Sequence, residues 1–213
     1  IPAERERGGP YHSLEDFLRR TPLGIEQAVI LIRSGALRFT GKGKKQLLWE
    51  AHRLLSGSKK ETRTYTLYPL QETRFTLPKL AENEIENAYD EIELLGFPVT
   101  MSWFDLVKTS FRGEIKAAEL LENTGKKVRM VGLLVNIKYV RTVKKEWMHF
   151  AAWLDDKGEF FDTVHFPQVL RSHPFRGNGV YLLYGKVVEE FGFPTLEVEK
   201  MARLPVKADP RYC

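Results

Sequence analysis

Residues 126–142, KKVRMVGLLVNIKYVRT, form a long run rich in β-branched residues with Gly132 near its middle. Such a run predicts a strand that bends at the glycine, where no Cβ stands in the way. The next run, EWMHFAAWLDD (146–156), closes on Asp155-Asp156-Lys157-Gly158, residues that suit a hairpin turn into EFFDTVHFP (159–167), which Pro167 stops. QVLRSHPF (168–175) then supplies one or two helical turns. GVYLLYGKVVEE (179–190) and TLEVEKMARL (195–204) read as two further strands joined at Gly192 and Pro194. The order is three strands, a short helix and two strands, which predicts a small Greek-key barrel.

A glycine inside the first strand and a helix between the third and fourth fit the OB-fold in particular. That fold binds its ligands on the face of strands two and three, edged by the loops joining strands one to two and four to five. Here the first loop and its flanks carry Lys138, Arg141, Lys144, Lys145 and Trp147; the second carries Phe191 and Phe193. Cations for phosphates and flat rings for unstacked bases are what a single-stranded nucleic acid needs, each stacked base contributing about 1–3 kcal/mol. Alternation along the second strand groups Phe150 and Phe160 with apolar neighbours and so assigns them to the core. Trp147 and Trp153 fall in the opposite phase from Met148, Phe150 and Leu154, which leaves them as core or as stacking platform and makes them candidate base-contacting residues. A bulge would reverse the assignment.

With 213 residues, 43% of them hydrophobic, the chain can hold one large or two small domains with real cores. No run approaches the 18 or more apolar residues of a membrane span, and no secretory signal pattern opens the sequence. Ile1 in place of a methionine suggests an excised fragment or a processed product. Cys213 is the only cysteine, which removes intrachain disulfides and CxxC zinc sites and makes a reducing cytoplasm the default. His12, His52, His149, His165 and His173 show no metal-ligand spacing, so no metal or cofactor is expected. The net charge of +5 is unevenly spread: 12 basic against 6 acidic residues in 1–60, 6 against 12 in 61–125, and 15 against 10 in 126–213. Basic ends around an acidic middle fit two segments that approach nucleic acid.

The remaining chain divides at composition shifts. Residues 1–60 read as helical: a charged, frayed start over 1–9, a short helix capped by Ser13, a second over 24–34 stopped by Gly35, and a third over 44–55. Between the last two lies GALRFTGKGKK (35–45), whose glycines allow close backbone approach and whose Lys42, Lys44 and Lys45 stand at a helix start where a phosphate could sit. A solvated loop is the alternative, and the spacing of a P-loop is missing. Residues 61–125 read as a linker with an extended segment and an acidic helix over 81–95; 126–204 form the barrel and 205–213 a tail. The fold class expected is therefore α+β, a small helical region followed by a five-stranded OB-fold barrel.

Five segments in this order, GGPYHSLEDFLRR (8–20), LIRSGALRFTGKGKKQLLWEAHRLL (31–55), AYDEIELLGFPVTMSWFDL (88–106), GKKVRMVGLLVNIKYVRTVKKEWMHFAAWLDDKGEFFDTVHFP (125–167) and VYLLYGKV (180–187), resemble the C-terminal part of the bacterial replicative DNA polymerase III alpha subunit. The resemblance implies that the first region is the later part of a tandem helix-hairpin-helix domain holding duplex DNA. It also implies that the middle carries a peptide for the sliding clamp and that the OB domain lies near the single-stranded template, among other holoenzyme subunits. The clamp peptide pattern, Gln-x-x-Leu-Phe, has its best-placed counterpart at Thr64, Leu67 and Tyr68, with Thr for Gln and Tyr for Phe; a second, Gln71 to Phe75, has Arg74 at the apolar position. Ser102-Trp103 stand where the family usually has His-Pro.

Nucleotidyl transfer by two metal ions needs clustered carboxylates, and the resemblance places that cluster in a palm domain ahead of Ile1. Asp155-Asp156 and Glu189-Glu190 read as hairpin-turn residues. The expectation is a non-catalytic segment of a DNA-directed DNA polymerase. Two other classes share the barrel: a stand-alone single-strand binder, which would not need the helical first 120 residues, and a protein-interaction adaptor, which would bind clamp or polymerase subunits without shifting oligonucleotides. An anticodon-binding barrel of a tRNA synthetase is a weaker third, since nothing ahead of it resembles a synthetase active site.

Overall fold

The computed structural model describes residues 1–56, 80–190 and 192–212. Two compact units form, one from residues 1–100 with 209–213, the other from residues 101–208. Expected clamp residues Thr64, Leu67 and Tyr68, the second match over 71–75, and Phe191 lie outside the described residues.

In the first unit α1 (Pro2–Gly8), α2 (Leu14–Arg20), α3 (Ile25–Arg33), α4 (Lys44–Ser56) and α5 (Glu84–Leu95) surround a core of Leu14, Phe17, Ala28, Ile32, Leu37, Leu47 and Ala51. The predicted caps are present: the Ser13 hydroxyl accepts from the Asp16 amide at 3.0 Å and Gly35 takes a positive φ just past α3. The charged start, expected to fray, is a helix instead. Arg20 explains it, donating to the Glu4 and Gly9 carbonyls at 3.0 and 2.9 Å, while the Tyr11 hydroxyl donates to the Ile1 carbonyl. Residues 209–212 return to α5 as part of the same unit. There Arg211 and Arg33 both donate to Asp90, at 2.8 and 2.6 Å, and Asp209 accepts from Arg211 at 2.7 Å.

The second unit is the closed barrel the sequence predicts. Its strands are β1 (Lys127–Arg141), β2 (Trp147–Leu154), β3 (Phe160–His165), β4 (Val180–Glu190) and β5 (Phe193–Arg203), with α7 (Pro167–Ser172) between β3 and β4 and α6 (Trp103–Leu106) ahead of β1. Closure runs β1-β2-β3-β5-β4, antiparallel except for β3 against β5. Leu120, Val128, Met130, Trp153, Phe161, Tyr181, Leu183, Val187, Leu196 and Val198 fill the interior, and Phe104 of α6 packs with Val107, Val131 and Val180 in a second cluster. Gly132 serves space more than bending, because a Cβ there would lie 2.7 Å from the Phe161 ring and 3.0 Å from the Trp153 Cβ. Asp155 is a turn residue, as its position predicts: it is buried and accepts from the amides of Lys157, Glu159 and Ala117 at 2.8–3.0 Å.

The β1–β2 turn holds one non-glycine residue in the left-handed region, Lys145 at φ 60°. Its amide donates to the Thr142 carbonyl at 2.8 Å and the Thr142 amide to the Glu146 carbonyl at 2.9 Å, the pattern of a type I turn followed by a bulge that favours glycine. Lys145→Gly is expected to raise barrel stability by about 0.5–1 kcal/mol. A urea midpoint unchanged or lowered in this variant would contradict the strain assigned to that residue.

Candidate nucleic-acid interface

The outer face of the barrel is built by registered cross-strand rows. Lys138 of β1 stands opposite Phe150 of β2, Phe150 opposite Val164 of β3, and Val164 beside Glu197 of β5. The neighbouring row is Asn136, Ala152, Asp162 and Thr195. These rows, with Met148, Phe166 and Val188, line an open groove of about 570 Å³. At one end of the hairpin, Val140 pairs with Met148 and Arg141 with Trp147. The Arg141 guanidinium lies 4.7 Å from the Trp147 ring centroid, a cation–π contact that holds the indole in place. Lys144 and Lys145 project from the turn beyond it, exposed. Phe193, at the start of β5, is 76% exposed.

The strand phase comes out opposite to the expectation for the phenylalanines. Phe150 is 38% and Phe160 67% exposed, both on the outer face, whereas the sequence assigns them to the core. Trp153, a candidate base-stacking residue, is 0% exposed. Its Nε1 donates to the Thr163 hydroxyl at 2.7 Å and its ring packs on Phe161, Phe175 and Tyr181. The reason is polar as much as apolar: within the inner phase of β2 and β3, Thr163 accepts from Trp153 Nε1 and pairs with His165 Nε2 at 2.7 Å each. Trp147, in that same phase, escapes burial because β1 and β2 run on past the barrel there, and it is 50% exposed.

The reverse face of the same hairpin carries a second cleft of about 590 Å³, lined by Tyr139, Trp147, His149, Leu170, Arg171 and Glu146 among others. Arg171 donates to Glu146 at 3.1 Å, which takes up the charge of both.

Of the three lysines after the Gly35–Gly43 loop, none is free of an acidic partner. Lys44 is the clearest departure from expectation: half-buried, it donates to the Asn87 carbonyl at 3.0 Å and lies 3.7 Å from the fully buried Glu91. Burial draws its ammonium below the usual lysine range, with Glu91 working the other way. Burial also disfavours the Glu91 carboxylate, but hydrogen bonds from Thr100 and Val99 at 2.7–3.0 Å prevail and hold it below the ordinary carboxyl range. Lys42 pairs with Glu50 at 2.8 Å and Lys45 with Glu86 at 3.0 Å. The carboxylates for Lys44 and Lys45 come from α5, about forty residues on, and no local signal announces them. Among the described residues no group of three or more His, Cys, Asp or Glu could hold a metal ion.

Residues 1–47 match the helix-hairpin-helix motif family. The protein is thus an N-terminal helix-hairpin-helix region followed by a closed five-stranded OB-like barrel, an α+β arrangement. No curated protein matches the sequence. Among solved structures, a Klebsiella pneumoniae lipoprotein described as nucleic acid-binding is 16% identical, covering 43% of this chain and 78% of its own, at a TM-score of 0.30. RecG, bound to a three-way DNA junction, is 13% identical over 95% of this chain and 32% of its own, at a TM-score of 0.28. The chain thus spans about a third of RecG. No helix among the described residues is long and apolar enough to cross a membrane.

Proposed function

We propose that the barrel binds single-stranded DNA along the groove of β1, β2 and β3, with phosphates toward Lys138 and the Arg141–Lys145 turn and bases against Phe150 and Phe166, which line it. The observation that carries this reading is the row Lys138–Phe150–Val164, a cation and an exposed ring side by side on a strand face, next to a turn with two exposed lysines. Stacking on exposed rings and neutralisation of phosphates are the two sequence-tolerant terms of single-strand binding. Phe150 replaces Trp153 as the central ring, and Phe193 extends the surface from the β4–β5 side.

The order of the five sequence segments and the helix-hairpin-helix match over 1–47 support a wider reading. In it the chain is the C-terminal part of a DNA polymerase III alpha subunit, cytoplasmic, with duplex DNA held by the helical region and no nucleotidyl transfer of its own. Contact with the sliding clamp through Thr64, Leu67 and Tyr68, and with other holoenzyme subunits, belongs to that proposal and rests on sequence alone.

The test uses the full chain and a fluorescent mixed-sequence single strand of about twelve nucleotides at several salt concentrations. Phe150→Ala is expected to weaken binding by about 1–3 kcal/mol. The double change Lys144→Ala/Lys145→Ala is expected to lower the salt slope by about 1.4, two phosphate contacts at about 0.7 each. An unchanged slope together with unchanged affinity for Phe150→Ala would remove the groove from consideration. A primer-extension assay yielding product would refute the non-catalytic assignment.

A further inference from the structure

The groove has a chemical gradient across its strands that the stacking account leaves unused. On the β1 edge stand Lys138 and Asn136, and beyond them the basic turn; on the β3–β5 edge stand Asp162 and Glu197, with Thr195 between. Neither carboxylate makes a hydrogen bond or an ion pair with another described residue, although Lys186 stands opposite Glu197 in the β4–β5 register. Asp162 occupies the row that Ala152 keeps shallow, flanked along the sheet by the rows of Phe150 and Phe160. A base stacked on either ring therefore lies one row from the Asp162 carboxylate.

We propose that this groove selects among bases, favouring pyrimidines that carry an exocyclic amine, cytosine, over those with a carbonyl in its place, thymine. The inference rests on the single-strand reading above and names which strand the site prefers. An ionised carboxylate only accepts hydrogen bonds. Cytosine N4 offers it two donor hydrogens at the outer corner of the ring; thymine has O4 there, an acceptor against an acceptor, and its one donor, N3–H, lies between O2 and O4, so the base must shift and bring a carbonyl oxygen against the carboxylate to use it. The same two carboxylates repel phosphate from the β3–β5 edge while the β1 edge attracts it, so the field across the groove places the sugar–phosphate chain on one side and the base edges on the other. Asp162 is the principal reader; Glu197, one row further along the sheet, is the second.

Fluorescence anisotropy of the full chain with dC and dT oligonucleotides of about ten nucleotides tests the preference. Neither homopolymer pairs with itself at neutral pH, and both are pyrimidines, so stacking differs little between them. The dC strand is expected to bind roughly fivefold tighter or more, one hydrogen-bond difference of about 1 kcal/mol per reading site. Asp162→Asn, an isosteric change at an exposed position whose amide both donates and accepts, is expected to bring the ratio close to one while strengthening both affinities by loss of a negative charge. Glu197→Gln is expected to lower the ratio less. Equal binding of dC and dT by the unaltered chain, or a ratio unchanged by Asp162→Asn, overturns the inference and leaves single-strand binding standing. Failure of both strands to bind overturns the single-strand reading together with it.

Discussion

Replacing Trp153 with alanine is expected to destabilise the barrel by about 3–5 kcal/mol, the range for deleting a large buried aromatic side chain. Three rings lose their partner at once, since Trp153 stacks on Phe161 and Phe175 at centroid distances of 6.5 and 6.1 Å and meets Tyr181 edge-on at 5.4 Å. Gly132 bears on the same spot: the Phe161 ring and the Trp153 Cβ fill the room its missing side chain leaves, so the packing around the indole is tight. For a unit of this size the barrel transition should fall by roughly 15–30 °C, read by near-ultraviolet circular dichroism of the full chain. Trp153→Phe retains the ring and loses the hydrogen bond to Thr163, for about 1–2 kcal/mol. If Trp153→Ala instead melted within a few degrees of the parent and lost only its affinity for oligonucleotides, the tryptophan would be a binding platform and the strand phase described above would be wrong.

The barrel is expected to lose stability between pH 7 and pH 5 through a single buried imidazole. His165 is fully buried on β3 with its Nε2 2.7 Å from the Thr163 hydroxyl and its Nδ1 without a partner. Burial, and to a lesser degree the neighbouring His149, pull its pKa down to about 3. In the unfolded chain the same imidazole titrates near 6.5. Below pH 6.5 the unfolded state therefore holds a proton the folded state lacks, and stability falls with falling pH until the folded-state value is passed near pH 3. At about 1.4 kcal/mol per pH unit, the loss between pH 7 and pH 5 comes to roughly 2 kcal/mol, before Glu91 or Asp155, both held low, begin to protonate. His149, opposite His165 on β2 and likewise drawn down by burial, acts in the same direction. Urea unfolding at the two pH values measures the loss directly, and His165→Gln should remove most of it. An equal slope in parent and variant would mean that His165 is not held neutral inside the barrel.

The strand order, the position of α7 after Pro167, the hairpin turn at Asp155 and the caps at Ser13 and Gly35 were all legible in the sequence. Each depends on interactions among residues a few positions apart: a proline without an amide hydrogen, a hydroxyl facing the first turn of a helix, alternation with a period of two. The basic turn with Trp147 beside it was legible for the same reason. Which face of β2 turns inward was not. Met148, Phe150, Ala152 and Leu154 form the more hydrophobic phase, yet His149, Ala151 and Trp153 enter the barrel, because β3 brings the Thr163 hydroxyl that accepts from the indole N–H and the His165 imidazole that pairs with that hydroxyl. Only the register of two strands makes that pairing, and it alone leaves Phe150 on the surface as a base-stacking candidate. Nor could local pattern foresee that Glu86 and Glu91 neutralise Lys45 and Lys44, since charge compensation across forty residues is a property of how helices pack. Local chemistry determined the elements and their order; closure of the barrel and packing of the helices decided which side chains remain free to meet a ligand, since burial and pairing depend on neighbours distant along the chain.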